Sequence, residues 1–276
     1  MMNLFYIFIS TCFEILRNSI SIFRKLNDII KNIYYKNLVL KKYGIERLPT
    51  IDITELFPNL NESLDVYTFL NGTSLITDHI LLKSFAKKHS DCDYFEIGSW
   101  RGESAVNVLP NCKSLTLLTL GVNEMKAKGF SQQIIDENGI FISKNSKISY
   151  IYSDSKVFNF KMLDKKFDLI FVDGEHGFKA VESDTRNVFA LIKDANSNII
   201  WHDYGYDTED VRFEVLAAIL SSLPKKEHSK LYHISNTMCA VYIENYNSKT
   251  YMTHKPTKAD KFFSVEIKVR KTKDFF

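Results

Sequence analysis

The chain has 276 residues, of which 45% are hydrophobic and 25% are charged, which allows one sizeable core and little beyond an ordinary globular domain. The net charge of +3 is unevenly distributed, because residues 1–43 and 245–276 each carry +5 and residues 44–244 carry −7. This acidic centre argues against a nucleic-acid-binding core.

The four cysteines indicate the redox environment of the protein. Cys12, Cys92, Cys112 and Cys239 are far apart and form no C-x-x-C pair, so neither a zinc knuckle nor a disulfide framework is expected. A reducing, cytoplasmic setting fits this usage. The apolar run at residues 4–13 is too short to span a bilayer, and no basic side chain precedes it as in a signal peptide.

Residues 1–43 are predicted to form an amphipathic helical extension of one or two helices. Large apolar side chains recur there at helical intervals, with basic residues between them. Such helices pack on the rest of the chain, pack on a second subunit in a homo-oligomer, or lie on an anionic membrane surface, and composition does not separate these alternatives. Residues 44–73, which contain Pro49 and Pro58, are predicted to be an irregular linker.

From residue 74 onward the pattern becomes regular. A helix is expected at residues 75–89, with a serine as its cap. Short apolar runs then alternate with helix-length segments, which is typical of parallel strands joined by crossovers. The five runs are residues 94–97, 115–120, 148–152, 167–172 and 199–201.

Two further runs, residues 231–235 and 238–243, are joined only by Asn236 and Thr237. So short a connection cannot make a parallel crossover, so these strands must pair antiparallel. The predicted fold is therefore α/β, a Rossmann-like doubly wound sheet of seven strands whose last strand is antiparallel, with an N-terminal helical extension. The domain covers residues 74–244, and residues 245–276 form a basic tail.

Ligands of open α/β sheets bind at the carboxyl ends of the strands, so the residues after each strand are informative. The first strand leads into Glu96-Ile-Gly98-Ser99-Trp100-Arg-Gly102, whose glycines let the backbone approach a ligand closely. Glu96 suits a ligand with an ammonium group and hydroxyls and would oppose a pyrophosphate. Trp100 occupies the place of the second glycine of the dinucleotide fingerprint, which disfavours a dinucleotide enzyme.

The fourth and fifth strands end in acids and histidines. Asp173 and His176 follow the fourth strand, and His202 and Asp203 follow the fifth. Buried parallel strands rarely end in such residues unless these serve a site, although histidines at strand ends are also satisfied by backbone groups. We expect the four side chains to form one functional cluster.

Three segments, E-I-G-S-W-R-G-E-S, F-D-L-I-F-V-D-G-E-H-G-F and I-I-W-H-D-Y-G, resemble the bacterial class I S-adenosylmethionine-dependent methyltransferases of the methyltransferase 24 type. The resemblance covers about residues 70–244, and this class also closes its sheet with a reversed strand. It implies S-adenosylmethionine as the cofactor. It also implies that Glu96, Gly98, Ser99 and Gly102 hold the methionine portion, with Asp173 beside it.

The rest of the cofactor site is less well defined by the resemblance. Gly121 stands where the family has an acid for the ribose hydroxyls, so Glu124 is the candidate substitute, although it also suits a helix start. Asp154 and Ser155 are candidates to contact the adenine amine, although both are also common helix caps.

The predicted reaction is methyl transfer to a hydroxyl of a small molecule or sugar, and the stretch at residues 43–52 resembles a subgroup from surface-polysaccharide gene clusters. His176 or His202, beside Asp203, would be the general base. Alternatively, Asp173 and Asp203 would bind Mg²⁺, although Tyr204 stands where metal-dependent relatives have a further ligand. The competing interpretation is a catalytically silent cofactor-binding or membrane-peripheral scaffold.

Overall fold

The computed structural model of the protein describes residues 2–142 and 145–272. It divides into two compact units, Met1–Glu46 and Arg47–Phe276. Its α-helices, numbered α1 to α8 along the chain, are Met2–Tyr43, Ile53–Leu56, Ile76–Lys88, Glu103–Val108, Val122–Ala127, Gln132–Asp136, Phe178–Phe189 and Phe213–Ser222. Short 3₁₀ helices cover Leu109–Asn111, Phe160–Leu163 and Lys225–Lys230.

The first unit consists mainly of α1, which confirms the predicted helical extension as one continuous helix of 42 residues. Lys41 and Lys42 lie in its last turn, where positive charge complements the helix dipole. Among the described residues, no helix combines the length and the apolar character needed to cross a membrane.

The second unit is built around one sheet whose strands lie in the order β1-β7-β8-β6-β5-β2-β3-β4. All neighbours pair parallel except β8, which is antiparallel to both β6 and β7. The predicted Rossmann-like sheet with a reversed last strand is therefore confirmed. The strands β1 to β8 are Thr50–Ile51, Cys92–Ile97, Cys112–Thr119, Ile148–Tyr152, Leu169–Val172, Asn198–Trp201, Leu231–Ile234 and Ala240–Tyr242.

The sheet has eight strands instead of the predicted seven. The additional strand, β1, lies in the stretch predicted as a linker and pairs with β7. A strand of two residues has no periodicity to detect, so only its hydrogen bonds to a distant strand reveal it. The compact unit accordingly begins at Arg47 instead of residue 74, and it includes the tail, where Tyr251 bridges to Thr50.

The start of α3 also differs from the prediction. No serine caps this helix, because Leu75 is the N-cap and its backbone N–H donates to the carboxylate of Asp78 at 2.9 Å. An acid at the third helical position commonly takes this role at a helix start.

The centre of the sheet positions the site. Every residue of β5 and β6 is buried, as expected for strands covered on both faces. From β2 the chain continues to β3 and β4 on one side, and it then returns to β5 on the other side. The topological switch point therefore lies between β2 and β5, and the loops at their carboxyl ends meet there.

Candidate active site

The glycine loop after β2 is shaped by the protein's own backbone. Gly98 has a φ of 96°, and a Cβ atom there would lie 2.0 Å from the carbonyl oxygen of Asp173. Gly102 has a φ of 88°, and its Cβ would lie 2.2 Å from Cγ1 of Ile142. No side chain fits at either position. Gly98 therefore lets the loops after β2 and β5 touch, and Gly102 lets the loop after β2 approach the segment before β4, in addition to any space they leave for a ligand.

Glu96 braces this loop from the end of β2. Its side chain is buried, and its two carboxylate oxygens accept hydrogen bonds from Ser104 Oγ at 2.5 Å and from the Tyr94 hydroxyl at 2.8 Å. Burial raises the pKa of Glu96 to about 7, although these two hydrogen bonds act in the opposite direction. Both oxygens thus have protein partners that brace the base of the loop, and contact of Glu96 with the cofactor stays a prediction.

Ser99, the next polar residue of the loop, is arranged differently. It is buried, and among the described residues its hydroxyl has no hydrogen-bond partner. Buried polar atoms normally have partners, so an orphaned hydroxyl in a glycine loop is what a bound polar ligand group would satisfy. The loop therefore fits a ligand with polar groups, such as the amino-acid portion of S-adenosylmethionine.

The stretch before α3 packs against the other end of this loop. Thr68 Oγ1 donates to Glu103 at 2.6 Å, and Arg101 Nη2 donates to Thr73 Oγ1 at 2.7 Å. Arg101 and Glu103 also form a buried ion pair at 3.1 Å. The segment predicted as a linker is thus packed against the glycine loop.

The residues predicted to bind ribose and adenine lie after β3 and β4. Glu124 Oε2 accepts the backbone N–H of Gly121 at 2.7 Å, which is the helix-start arrangement considered as its alternative. Asp154 forms an ion pair with Lys128 at 2.8 Å. Glu124 and Asp154 thus already have protein partners, and the ligand roles of Glu124, Asp154 and Ser155 stay predictions.

The acids and histidines after β5 and β6 do come together. His202 is buried, with Nε2 at 3.2 Å from Oδ2 of Asp78 and Nδ1 at 3.1 Å from Oδ1 of Asp173. Burial alone would lower the pKa of His202, but the charge of Asp173 and the hydrogen bonds of the surrounding carboxylates raise it well above its usual value. His202 therefore lies between two carboxylates that favour its protonated form.

Asp203 contacts His176 and Arg212. Its residue adopts a left-handed φ of 57°, and its Oδ2 lies 3.4 Å from Nδ1 of His176. Its Oδ1 lies 3.4 Å from Nη1 of Arg212. Burial would raise the pKa of Asp203, but His176, His202 and Arg212 together hold it well below its usual range. The cluster thus combines the three carboxylates of Asp78, Asp173 and Asp203 with the permanent cation of Arg212 and the ring of His202, and it keeps a negative balance.

Asp78 and Arg212 were not predicted from the sequence. Asp78 is fully buried, and its Oδ1 also accepts the backbone N–H of Met238 at 2.9 Å. Its position near the start of a helix is typical of a capping acid. Nothing in the sequence indicates its contact with His202, which lies 124 residues away. Arg212 is a single basic residue in a loop, with no pattern to distinguish it.

The donor set does not fit a preformed Mg²⁺ site. One ligand atom each from Asp173, His202 and Asp203 lie within 4.8 Å of one another. However, both ring nitrogens of His202 face carboxylates, so its imidazolium has no lone pair to offer a metal. Arg212 and His176 contact the two oxygens of Asp203, so nitrogen donors of the protein already stand where a divalent ion would bind.

A shallow surface pocket adjoins this cluster, and Asp173, His176, Trp201, His202 and Asp203 are among the residues that line it. His176 is the most accessible group, with its side chain 61% exposed. Because Nδ1 faces Asp203, Nε2 is the nitrogen that remains for a ligand. The arrangement is a carboxylate-oriented imidazole at the mouth of a pocket.

One family model and several solved structures are similar to this chain. Residues 95–204 match the sequence model of the methyltransferase 24 family, described as a methyltransferase domain. No curated protein sequence matches the chain. One similar solved structure is the SAH-bound methyltransferase PaMTH1 of Podospora anserina, with 18% identity over 47% of this chain and a TM-score of 0.36. The chain covers 53% of that protein's length.

Two further similar structures cover more of their own chains. The N-methyltransferase NodS from Bradyrhizobium japonicum WM9 is 16% identical over 60% of this chain and 92% of its own, with a TM-score of 0.39. Cofactor-bound Rv0187 from MTB is 13% identical over 64% of this chain and 84% of its own, with a TM-score of 0.42.

The doubly wound sheet with reversed β8, together with the glycine loop and the acids at its strand ends, defines the class I S-adenosylmethionine-dependent methyltransferase fold. Within that class, residues 95–204, which are less than half of the chain, are similar to the methyltransferase 24 family.

Proposed function

We propose that this protein transfers the methyl group of S-adenosylmethionine to a hydroxyl of a small molecule or sugar, with His176 as the general base. The observation that carries the proposal is the contact between His176 Nδ1 and Asp203 at the pocket that Asp173 also lines. A hydroxyl acceptor must lose a proton, whereas many amine acceptors carry a lone pair already, so an oriented base favours oxygen.

The glycine loop, Ser99 and Asp173 would hold the cofactor. When bound, S-adenosylmethionine supplies a sulfonium methyl carbon, and as that carbon bonds to the acceptor oxygen its bond to sulfur breaks and the electron pair stays on sulfur. The negative balance of the carboxylate cluster suits a ligand with ammonium and sulfonium charges. Positioning the two reactants and excluding water are the main contributions of the protein.

His176 and His202 would have different roles. His176 Nε2 accepts the proton of the acceptor hydroxyl, while Asp203 fixes the ring orientation and stabilises the charge that develops. His202 is not suited to accept a proton, because both of its nitrogens already face carboxylates. Its role is to hold Asp173 in place, and Asp78 in turn holds His202.

We further propose that the reaction needs no divalent metal, since Arg212, His176 and His202 already pair with the carboxylates that would bind one. Turnover should be the same in EDTA and in added Mg²⁺. A loss of turnover in EDTA that Mg²⁺ restores would contradict this part of the proposal.

The role of His176 is tested by His176→Gln, with His254→Gln as the control at another exposed histidine. We expect kcat to fall about 100-fold to 10,000-fold in the first variant, with the affinity for S-adenosylmethionine unchanged. The control should retain wild-type kcat. Equal kcat in the two variants would remove His176 from the reaction, and loss of cofactor affinity would make it a binding residue.

The acceptor class is tested by measuring S-adenosylhomocysteine formation with panels of hydroxyl, amine and sugar acceptors. A sugar is supported by the exposed ring of Tyr206, which stacks on Arg212 beside Asp203 and could serve as an aromatic platform. Turnover with amines alone would contradict the hydroxyl proposal. Tight cofactor binding without turnover of any acceptor would favour a silent cofactor-binding protein. Cytoplasmic residence is supported by the free thiols of Cys92, Cys112 and Cys239.

A further inference from the structure

Helix α1 carries a continuous face of large apolar side chains that are exposed. Seven side chains between residues 22 and 34 make up this apolar face, each between 48% and 71% exposed: Ile22, Phe23, Leu26, Ile29, Ile30, Ile33 and Tyr34. Their spacing of one, three and four residues puts them on one wide stripe of the helix. Such a contiguous exposed stripe marks an interaction surface.

The charges of α1 indicate what covers this face. Residues 1–43 contain seven basic and two acidic residues, and the exposed Lys25 and Lys31 lie outside the apolar stripe. A helix with a bulky apolar stripe and a basic polar face is suited to lie in the interface of an anionic bilayer. The apolar face spans about 20 Å along the axis, and α1 does not have the apolar length to cross the membrane.

The same charges argue against a second copy of α1 as the occupant. Paired helices in coiled coils place acidic and basic side chains opposite each other beside the apolar seam. Two copies of α1 would bring together two segments with seven basic residues each, and only Glu14 and Asp28 in each copy offset that charge. This repulsion opposes self-association, whereas the same charge strengthens binding to anionic headgroups.

The basic tail at residues 245–276 also combines exposed apolar and basic side chains. Its described part includes the exposed apolar residues Phe262 and Val269 and the basic residues Lys268, Arg270 and Lys271. Stable membrane anchoring generally takes two signals, and a basic segment is an effective second one. From these observations we infer that α1 attaches the protein to an anionic lipid surface through its apolar face, with the tail as a second electrostatic contact.

The test is flotation of the full chain with vesicles of phosphatidylcholine mixed with phosphatidylglycerol, and with vesicles of phosphatidylcholine alone. We expect binding to the mixed vesicles only, and weaker binding as salt is raised. Lys25→Gln combined with Lys31→Gln should weaken binding by about 25-fold, at about fivefold for each lysine. Leu26→Ser combined with Ile30→Ser should weaken it at least about tenfold.

Asn27→Ser, another exposed position on α1, is the matched control and should bind as wild type does. Circular dichroism and S-adenosylmethionine binding establish that each variant is folded and that its cofactor domain is intact. Equal binding to both kinds of vesicle, or wild-type binding by both double variants, would overturn the inference. Absence of vesicle binding together with a dimer that Leu26→Ser and Ile30→Ser dissociate would assign the apolar face to a second copy.

Discussion

The substitution Asp78→Asn tests whether the buried acid of α3 holds the cluster together. Asp78 is fully buried, its Oδ2 accepts from the Leu75 backbone and faces His202, and its Oδ1 accepts from the Met238 backbone. Asparagine removes the charge that faces the His202 imidazolium. It also turns an NH₂ group toward one of two backbone N–H donors, so at least one buried donor loses its acceptor.

Removing one partner of a buried ion pair costs about 3 to 5 kcal/mol, and an unsatisfied buried donor costs about 1 to 3 kcal/mol. Because Asp173 still faces the other side of His202, we take the lower end of both ranges. The free energy of unfolding should therefore fall by about 4 kcal/mol. For a chain of this size that lowers the melting temperature by about 8 to 16 °C.

Asp184→Asn is the matched control, because Asp184 is also a buried helical aspartate. Burial raises its pKa to about 6, so its charge is unfavourable near neutral pH. The asparagine variant should therefore be as stable as wild type or more stable. Urea unfolding of both variants near neutral pH measures the difference. Equal effects of the two substitutions would refute the assignment of Asp78 as the counter-charge of His202.

Three further predictions concern the glycine loop and two buried titratable groups. Gly98→Ala should abolish S-adenosylmethionine binding measured by calorimetry, because the added Cβ would meet the Asp173 backbone. Gly129→Ala is the control: its φ is also positive, at 79°, but no atom lies near the added Cβ, so this variant should lose stability and keep cofactor binding. Because the folded-state pKa of Glu96 is raised to about 7, ionisation of this residue destabilises the folded wild type as pH rises from 4.5 to 7. Glu96→Gln should therefore become more stable than wild type over this range, by about 3 kcal/mol at pH 7. A stability difference that does not change with pH in urea unfolding would contradict this. Burial lowers the pKa of His79 to about 4, so this histidine alone should contribute a loss of about 3 kcal/mol as pH falls from 6.5 to 4. His79→Phe lacks this contribution, so its stability relative to wild type should rise by about that amount in the same titration.

Local patterns in the sequence were sufficient to predict most of the architecture. Apolar runs separated by helix-length segments predicted the parallel strands, because a strand buried on both faces must be apolar throughout. The short connection at Asn236 and Thr237 predicted the reversal of β8, since two residues cannot cross over a sheet. The clustering of Asp173, His202 and Asp203 followed from the same logic, because neighbouring parallel strands end at one edge.

The roles within the cluster were not accessible in this way. The sequence left His176 and His202 as equal candidates for the base, and their difference arises from partners contributed by α3 and by the loop before α8. Similarly, the strand β1 exists only through its pairing with β7, about 180 residues away.

What the sequence alone determined was therefore the order and direction of the main strands, the helical extension and the residues at the strand ends. Each of these depends on periodicity or on the length of a connection, which are local properties of the chain. Only the tertiary structure decided that Asp78 and Asp173 enclose His202, and that Gly98 is required by the backbone of Asp173. Such contacts join residues far apart in sequence, and the packing of the whole domain brings them together.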